Sequence, residues 1–307
     1  MKLIILMLLC PVLMMAQANP EELGAVHWLR SYNEAQAKSL KEKKPILILF
    51  QEIPGCEVCR NYGNDVLTHP LIVEAIETEF IPLAIYNNKG GDDAYVLHLF
   101  NEAAWNNPVV HIVDNYGSNI IPRLSGNYSA AGISALMTNA LIKVKGKAPA
   151  YLQLLTDELT AYQKGTSTVM YSMYCFWTGE AVFGKINGVF KTTAGYQGGK
   201  EVVSVQFDPA IVKKEELDKI AENQKCSASS GGSFKPDSTP KYYLSNSAYK
   251  VIPMTEIQKC RVNSALGEKQ DPKAFLSERQ LAFLKTSKTN CVELAFKDAW
   301  AKASSGK

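Results

Sequence analysis

The stretch KKPILILFQEIPGCEVCRN, from Lys43 to Asn61, constrains the fold most tightly. Its apolar run is short and follows a charged helical segment, the pattern of a buried strand. Cys56 and Cys59 follow within one turn of chain. A helix starting at Cys56 would offer that sulfur unpaired N–H groups and a positive dipole end, favouring the thiolate. Cys59, a turn later, can close back onto it, which is the logic of a dithiol switch. A half zinc site and a structural disulfide are the alternatives. Zinc wants four ligands, and this part of the chain has no second Cys pair or His pair at ligand spacing.

Around this core the pattern alternates. HPLIVEAIETEF has helical spacing, with Leu71, Ile72, Ala75 and Ile76 on one side. IPLAIY and VVHIVD read as strands, DNYG at 114–117 as a turn, and SGNYSAAGISALMTNALIKV as a closing helix. The expected order is helix, strand, helix, strand, strand, strand, helix. Residues 26 to about 145 thereby resemble thioredoxin-like proteins, through Trp28, Ala35, Ala37, Lys44-Pro45, Phe50, Cys56 and Cys59. The resemblance implies a cis-proline facing the dithiol, and Pro108 in NNPVVHIVD stands in that place. The Ile53-Pro54-Gly55-Cys56 form resembles a subgroup whose first position can be selenocysteine, which makes Cys56 the attacking sulfur. Gly55 replaces the aromatic usual in thioredoxin itself.

A second part begins near Ala148. STVMYSMY (Ser167 to Tyr174) and EVVSVQFDP read as strands, and Asp208-Pro209 as the start of a helix. CSASSGGSFKPDSTP is a loop by composition. Thr255 to Gln258 and Ser277 to Gln280 are capping-box signals, each ahead of a helical run, so a helical tail is expected.

Within this part, YCFWTGEAVF places Cys175 where a strand becomes a helix. Phe176 and Trp177 offer an apolar wall, Glu180 and Glu201 carboxylates, and Tyr196 a hydroxyl. A thiolate, an apolar wall and a proton donor suit sulfoxide reduction; the bland reading is a core thiol beside two aromatics. Residues 165 to about 250 resemble methionine sulfoxide reductase A in three blocks: Cys175-Phe176-Trp177 with Gly179-Glu180; Gly188-Val189, Thr192, Gly195-Tyr196 and Gly198-Gly199; then Glu201-Val202-Val203, Val205 and Phe207-Asp208-Pro209.

That resemblance implies Cys175 as the nucleophile that becomes a sulfenic acid, Phe176 and Trp177 as the methyl pocket, and Glu201 as the acid. Asp237 and Tyr242 in KPDSTPKYY fall at the spacing of the family's substrate-side aspartate and tyrosine. Cys226, Cys260 and Cys291 lie where relatives keep resolving cysteines, with Cys226 preferred for its Ser/Gly loop; a plain structural disulfide among them is the alternative. The sequence also departs from the family. Tyr174 and Thr178 replace flanking glycines, and Gly199-Lys200 runs straight into Glu201 where relatives carry a further segment.

Charge and the N-terminus narrow the class. A formal net charge of +3 and the lack of an arginine-rich, aromatic-interleaved segment argue against nucleic acid. Lys2, an apolar run from Leu3 to Ala16, and Ala16-Gln17-Ala18 read as an export signal. The run is shorter than the ~20 residues of a membrane span, and Leu9 is too large for lipidation at Cys10. No membrane anchor is therefore expected, and the chain is placed in the periplasm or outside the cell. Of the seven cysteines, the six beyond Cys10 are read chiefly as redox-active.

The expected fold class is α/β and α+β. A signal peptide (1–18) precedes a thioredoxin-like domain (19–148), a trimmed, ferredoxin-like α/β reductase domain (149–250) and a helical extension (251–307). The expected partners are oxidised methionine, free or in proteins, and an upstream thiol reductant, with no cofactor and no metal. The alternative is a thiol–disulfide exchanger whose second domain is a degenerate binding module.

Overall fold

The computed structural model describes residues 19–285; the leading apolar run and Cys291 lie outside them. The first half runs α1 (Tyr32–Glu42), β1 (Ile46–Gln51), α2 (Glu57–Asn61), a single π turn (Tyr62–Val66), α3 (Pro70–Glu79), β2 (Ile81–Tyr86), α4 (Asp92–Leu99), β3 (Val109–Val113), β4 (Leu124–Ser125) and α5 (Ala130–Lys145). Its sheet has the order β2-β1-β3-β4, with β1 and β2 parallel and β3 antiparallel to both of its neighbours.

Every residue of β1 is buried, because both faces of the sheet are covered. Leu47 and Leu49 point into a core with α3 and α5, while Ile46, Ile48 and Phe50 join Tyr32 and Val96 of α1 and α4. A doubly covered strand reads as a continuous apolar run, which is the pattern ILILF shows. Helix α4 was not expected from the sequence. Only Val96 and Leu97 of it are buried, so no apolar stripe marks it.

The second half contains α6 (Ala150–Lys164), β5 (Ser167–Ser172), α7 (Phe176–Gly184), β6 (Val189–Gln197), β7 (Lys200–Phe207), α8 (Lys214–Asn223), β8 (Ser227–Ala228), β9 (Phe234–Pro236), α9 (Tyr242–Ser245), α10 (Glu256–Gly267) and α11 (Glu278–Lys285). Its sheet is antiparallel throughout, in the order β8-β5-β7-β6-β9. The core holds Tyr171 stacked on Phe183 at 4.8 Å with Val203, Val205 and Leu217 around them.

Two expectations are corrected here. Asp208-Pro209 does not open a helix: Asp208 Oδ1 accepts the Ala210 N–H at 2.8 Å, closing a local turn, and α8 starts only at Lys214. The stretch expected to be all loop supplies β8 and β9, short edges on either side of the sheet.

Both capping boxes form, at Thr255–Gln258 and at Ser277–Gln280. The helix after the first is no loose tail. Cys260, Val262 and Asn263 of α10 are fully buried, and Arg261 Nη1 donates to the Gly184 and Val189 carbonyls, tying α10 to the end of α7 and the start of β6.

The halves share helix α6. Tyr151, Leu152 and Leu155 enter the first core, whereas Leu154 and Ala161 pack on Phe190 and Ile257 of the second. The start of α11 adds a polar latch on α3. Ser277 Oγ and the Arg279 N–H donate to buried Glu74 at 2.6 and 2.9 Å, and the Arg279 guanidinium pairs with Glu77. Among the described residues no helix is long and apolar enough to cross a membrane.

Candidate functional site

The strand β1 delivers the chain to the first thiol site. Cys56 caps α2 and is exposed; Cys59, one turn later, is fully buried. Their Sγ atoms lie 3.6 Å apart. The Cys59 backbone N–H holds the Cys56 sulfur and, with the Cys59 side chain, lowers its pKa against an opposing desolvation cost. Burial, reinforced by the contact with Cys56, pushes the Cys59 thiol up to about 11. One accessible, acidified sulfur beside one sealed, protonated sulfur is the division of labour of a dithiol exchanger.

The peptide bond between Asn107 and Pro108 is cis, in the place expected. Cys59 Sγ lies 2.8 Å from Asn107 Oδ1, so this loop meets the dithiol directly. Glu102 braces the same loop: its carboxylate accepts from Asn106 Nδ2 at 3.2 Å and lies 2.9 Å from His111 and 3.0 Å from Arg123.

Three supporting residues were missed by sequence reasoning. Gln51 Nε2 donates to the Cys59 and Glu22 carbonyls, and Glu22 Oε1 accepts the Gly55 N–H at 2.7 Å. The signal for Gln51 was a polar residue closing an apolar strand; nothing marked Glu22 or Asn107. Gly55 has a steric reason, since a Cβ there would lie 2.4 Å from the Glu52 carbonyl oxygen and 2.6 Å from Cys59 Cβ. Ligand atoms of Glu52, Cys56 and Cys59 come within 4.8 Å of one another, one donor short of a closed tetrahedral zinc set.

The second thiol site is built on the first turn of α7. Cys175 is its N-cap, half-buried, with extended backbone. Glu201 Oε2 accepts the Phe176 N–H at 3.0 Å, which puts this carboxylate at the same helix end as the sulfur. The hairpin between β6 and β7 explains how it gets there. Gly198 and Gly199 have φ of 57° and 78°, as a two-residue type I′ turn requires. This turn puts Tyr196 directly opposite Glu201. The missing segment noted in the sequence is thus a tight turn that leaves the acid in register.

Aromatic rings surround this point. Phe176 meets Tyr196 edge-on at 5.3 Å, and Trp177 stacks on Tyr242 at 4.0 Å with an interplanar angle of 17°. Asp237 Oδ2 accepts from Trp177 Nε1 at 3.2 Å. Phe176 is buried, Tyr196 is 41% exposed and Tyr174 fully exposed, so the ring opens to solvent on one side. Cys175, Phe176, Trp177, Tyr196, Glu201, Asp237 and Tyr242 therefore form one linked set.

Glu180 stands apart from it. The side chain is fully buried, accepting the Ala194 N–H at 3.1 Å and the Lys241 N–H at 2.7 Å, and pairing with the Lys241 ammonium at 3.3 Å. Its role is to hold the segment that carries Tyr242.

The candidate resolving cysteines separate as well. Cys226 is half-buried at the end of α8, its Sγ donating to the Gln224 carbonyl at 3.2 Å, and is therefore more anchored than a free Ser/Gly loop. The next residue, Ser227, pairs with Ser172 of β5, three positions before Cys175. Cys260 is sealed in α10, with Sγ 3.7 Å from Thr192 Oγ1 and 3.5 Å from the Phe190 carbonyl. Burial removes it from any exchange that needs an accessible sulfur. Cys291 lies outside the described residues.

A thioredoxin-like family model matches residues 27–115. Peptide methionine sulfoxide reductase MsrA of Methanococcus maripaludis is 35% identical over 69 residues, covering 17% of this chain and 44% of that protein. The same-named proteins of Serratia proteamaculans and Caulobacter vibrioides are 34% and 39% identical, covering 22% and 18% of this chain and 40% and 34% of their own. The chain thus spans less than half the length of each of these relatives. A solved structure named DsbH Oxidoreductase aligns at 17% identity and a TM-score of 0.33, over 41% of this chain and 92% of its own. The chain joins a thioredoxin-like domain to sequence similar to peptide methionine sulfoxide reductase.

Proposed function

We propose that the protein is a thiol oxidoreductase that reduces methionine sulfoxide at Cys175 and draws electrons through Cys56 and Cys59. The supporting observation is the Glu201 carboxylate on the Phe176 N–H, 3.0 Å away, beside the Cys175 N-cap and across the hairpin from Tyr196. In this reading the substrate methyl packs on Phe176 and Trp177. The Cys175 thiolate attacks the sulfoxide sulfur to form an S–S bond while Glu201 gives its proton to the oxygen; the hydroxyl then passes to the Cys175 sulfur as the substrate's S–O and S–S bonds break. The products are the thioether and a Cys175 sulfenic acid.

Cys226 is the proposed resolving thiol. What supports it is the next residue, Ser227, which pairs with Ser172 three positions before Cys175. The Cys175 sulfenic acid condenses with the Cys226 thiol to a disulfide with loss of water once the two Cα atoms come within roughly 4.4–6.8 Å. Cys56 then attacks that disulfide and Cys59 resolves the mixed species. An external thiol reductant restores the Cys56–Cys59 pair. Export belongs to the same proposal, resting on the apolar run before Ala16-Gln17-Ala18.

The test is turnover of a methyl sulfoxide with dithiothreitol, wild type beside Cys175→Ser and Glu201→Gln. Sulfide formation in the wild type that Cys175→Ser abolishes supports the proposal. Equal rates in wild type and Cys175→Ser, or none in either, reject it. The second reading, a disulfide exchanger with a degenerate rear half, rests on the exposed, acidified Cys56 beside the sealed Cys59. It predicts disulfide exchange that depends on Cys56 and is indifferent to Cys175.

A further inference from the structure

The segment Phe234 to Ser245, which brings Asp237 and Tyr242 to Trp177, also lines a cavity of about 590 Å³. Pro236 and Lys241 lie on its wall. Each is the chain neighbour of a residue in the aromatic site, Asp237 and Tyr242 respectively. The volume falls in the range of ligand pockets, far larger than a simple ion requires.

Lysines dominate the charge of this cavity. Lys191, Lys241, Lys250 and Lys259 line it against a single carboxylate, Glu256. Glu256 is taken up by Lys259 at 2.7 Å and lies 4.0 Å from Lys191. Lys241 is held rigidly by Glu180 and the Thr192 carbonyl. Lys250 is exposed and forms no ion pair among the described residues. Two acids, Glu256 and Glu180, thus face four ammonium groups, and the cavity keeps an excess of positive charge. Phe234, Pro236 and Leu244 add apolar wall.

We propose that this cavity is a subsite for acidic residues of a polypeptide substrate, aspartate or glutamate near the oxidised methionine. The inference rests on the reductase reading above. Its geometric basis is the shared segment: adjacent Cα atoms are about 3.8 Å apart, and each residue of an extended peptide spans about 3.3 Å. A chain with its sulfoxide on the Trp177–Tyr242 stack therefore needs only a few residues to bring a carboxylate to the lysines. Point-charge ammonium groups, with Lys250 exposed and Lys191 and Lys259 partly so, suit carboxylates of varying position better than a fixed bidentate clamp does.

The experiment is calorimetric titration of full-length Cys175→Ser protein, which cannot turn over. The probes are peptides carrying one methionine sulfoxide flanked by glutamates or by glutamines. At low salt the glutamate peptide binds about tenfold tighter, the effect of one to two charge pairs at contact distance in water. The advantage fades at high salt and in Lys191→Ser/Lys250→Ser, two side chains outside the chemistry. In Lys250→Glu the preference moves toward a lysine-flanked peptide, a gain that misfolding would not produce. Equal affinities for the glutamate and glutamine peptides, or an acidic preference untouched by these lysine substitutions, overturn the subsite. Failure of the reductase reading shows elsewhere: wild-type protein then reduces no sulfoxide, and norleucine in place of the oxidised methionine leaves peptide affinity unchanged.

Discussion

Replacing Glu180 tests how the aromatic site is supported. In Glu180→Ala the Lys241 ammonium, only 10% exposed, loses its carboxylate, and the N–H groups of Ala194 and Lys241 lose their acceptors. Breaking a buried ion pair from one side costs about 3–5 kcal/mol, and each orphaned N–H adds up to ~1–3 kcal/mol where water does not replace the oxygen. Against a domain stability of roughly 5–15 kcal/mol, that is a large fraction. Glu180→Gln keeps one acceptor oxygen and the side-chain shape, so its loss is smaller, about 2–3 kcal/mol. Glu180→Gln/Lys241→Met removes both charges and recovers at least half of the Glu180→Ala loss. Urea unfolding followed by far-UV circular dichroism reads this as a shift in midpoint at constant slope. Because Lys241 adjoins Tyr242, the loss also loosens the Trp177 stack and raises KM. A Glu180→Ala protein within 1 kcal/mol of wild type (roughly the scatter of surface substitutions) refutes the scaffold assignment. Full stability with lost turnover would move Glu180 into the chemistry instead.

The remaining predictions concern the two thiol sites. Cys56 is expected to alkylate with iodoacetamide at a midpoint pH below that of an ordinary thiol, well before Cys59, whose thiol is held near pH 11. Cys59→Ala removes a hydrogen bond that favours the Cys56 thiolate, so the Cys56 midpoint must move up; a downward shift contradicts the assignment. Gly55→Val drives a side chain into the Glu52 carbonyl and Cys59 Cβ, costing about 1–3 kcal/mol in chemical denaturation and slowing disulfide exchange. Tyr242→Ala removes the stack on Trp177, and a loss of about 0.5–1.5 kcal/mol appears as a KM raised by roughly 2–13-fold in steady-state assays. Cys226→Ser should permit one turnover and then stall, leaving a Cys175 sulfenic acid that dimedone traps; sustained turnover from this variant removes Cys226 from the resolving role.

Local chemistry made parts of this molecule legible without coordinates. ILILF announced a strand because a doubly covered strand leaves no polar alternation. Thr255–Gln258 and Ser277–Gln280 announced helix starts because a capping box is completed within four residues. Cys56 and Cys59 announced a dithiol because their spacing is one helical turn. The order of Cys175, Phe176 and Trp177 ahead of Glu201 likewise pointed to the site that the fold assembles.

Other features depend on contacts between residues far apart in the chain. Glu180 and Glu201 are equivalent as carboxylates in the sequence. The fold alone seats one against Lys241 in the core and the other at the open end of α7. Cys226 and Cys260 are likewise two plain thiols until β8 pairs with β5 and α10 buries its face on α7. A tail predicted from capping signals became part of a core because its partners lie some 70 residues earlier: Ile257 packs on Phe190, and Cys260 meets Thr192 Oγ1 and the Phe190 carbonyl. Sequence determined which side chains could carry thiol chemistry, since that depends on residue type and near neighbours. The tertiary structure decided which of them meet solvent, a carboxylate or a sealed core, since burial and charge are set by whatever the chain folds against them.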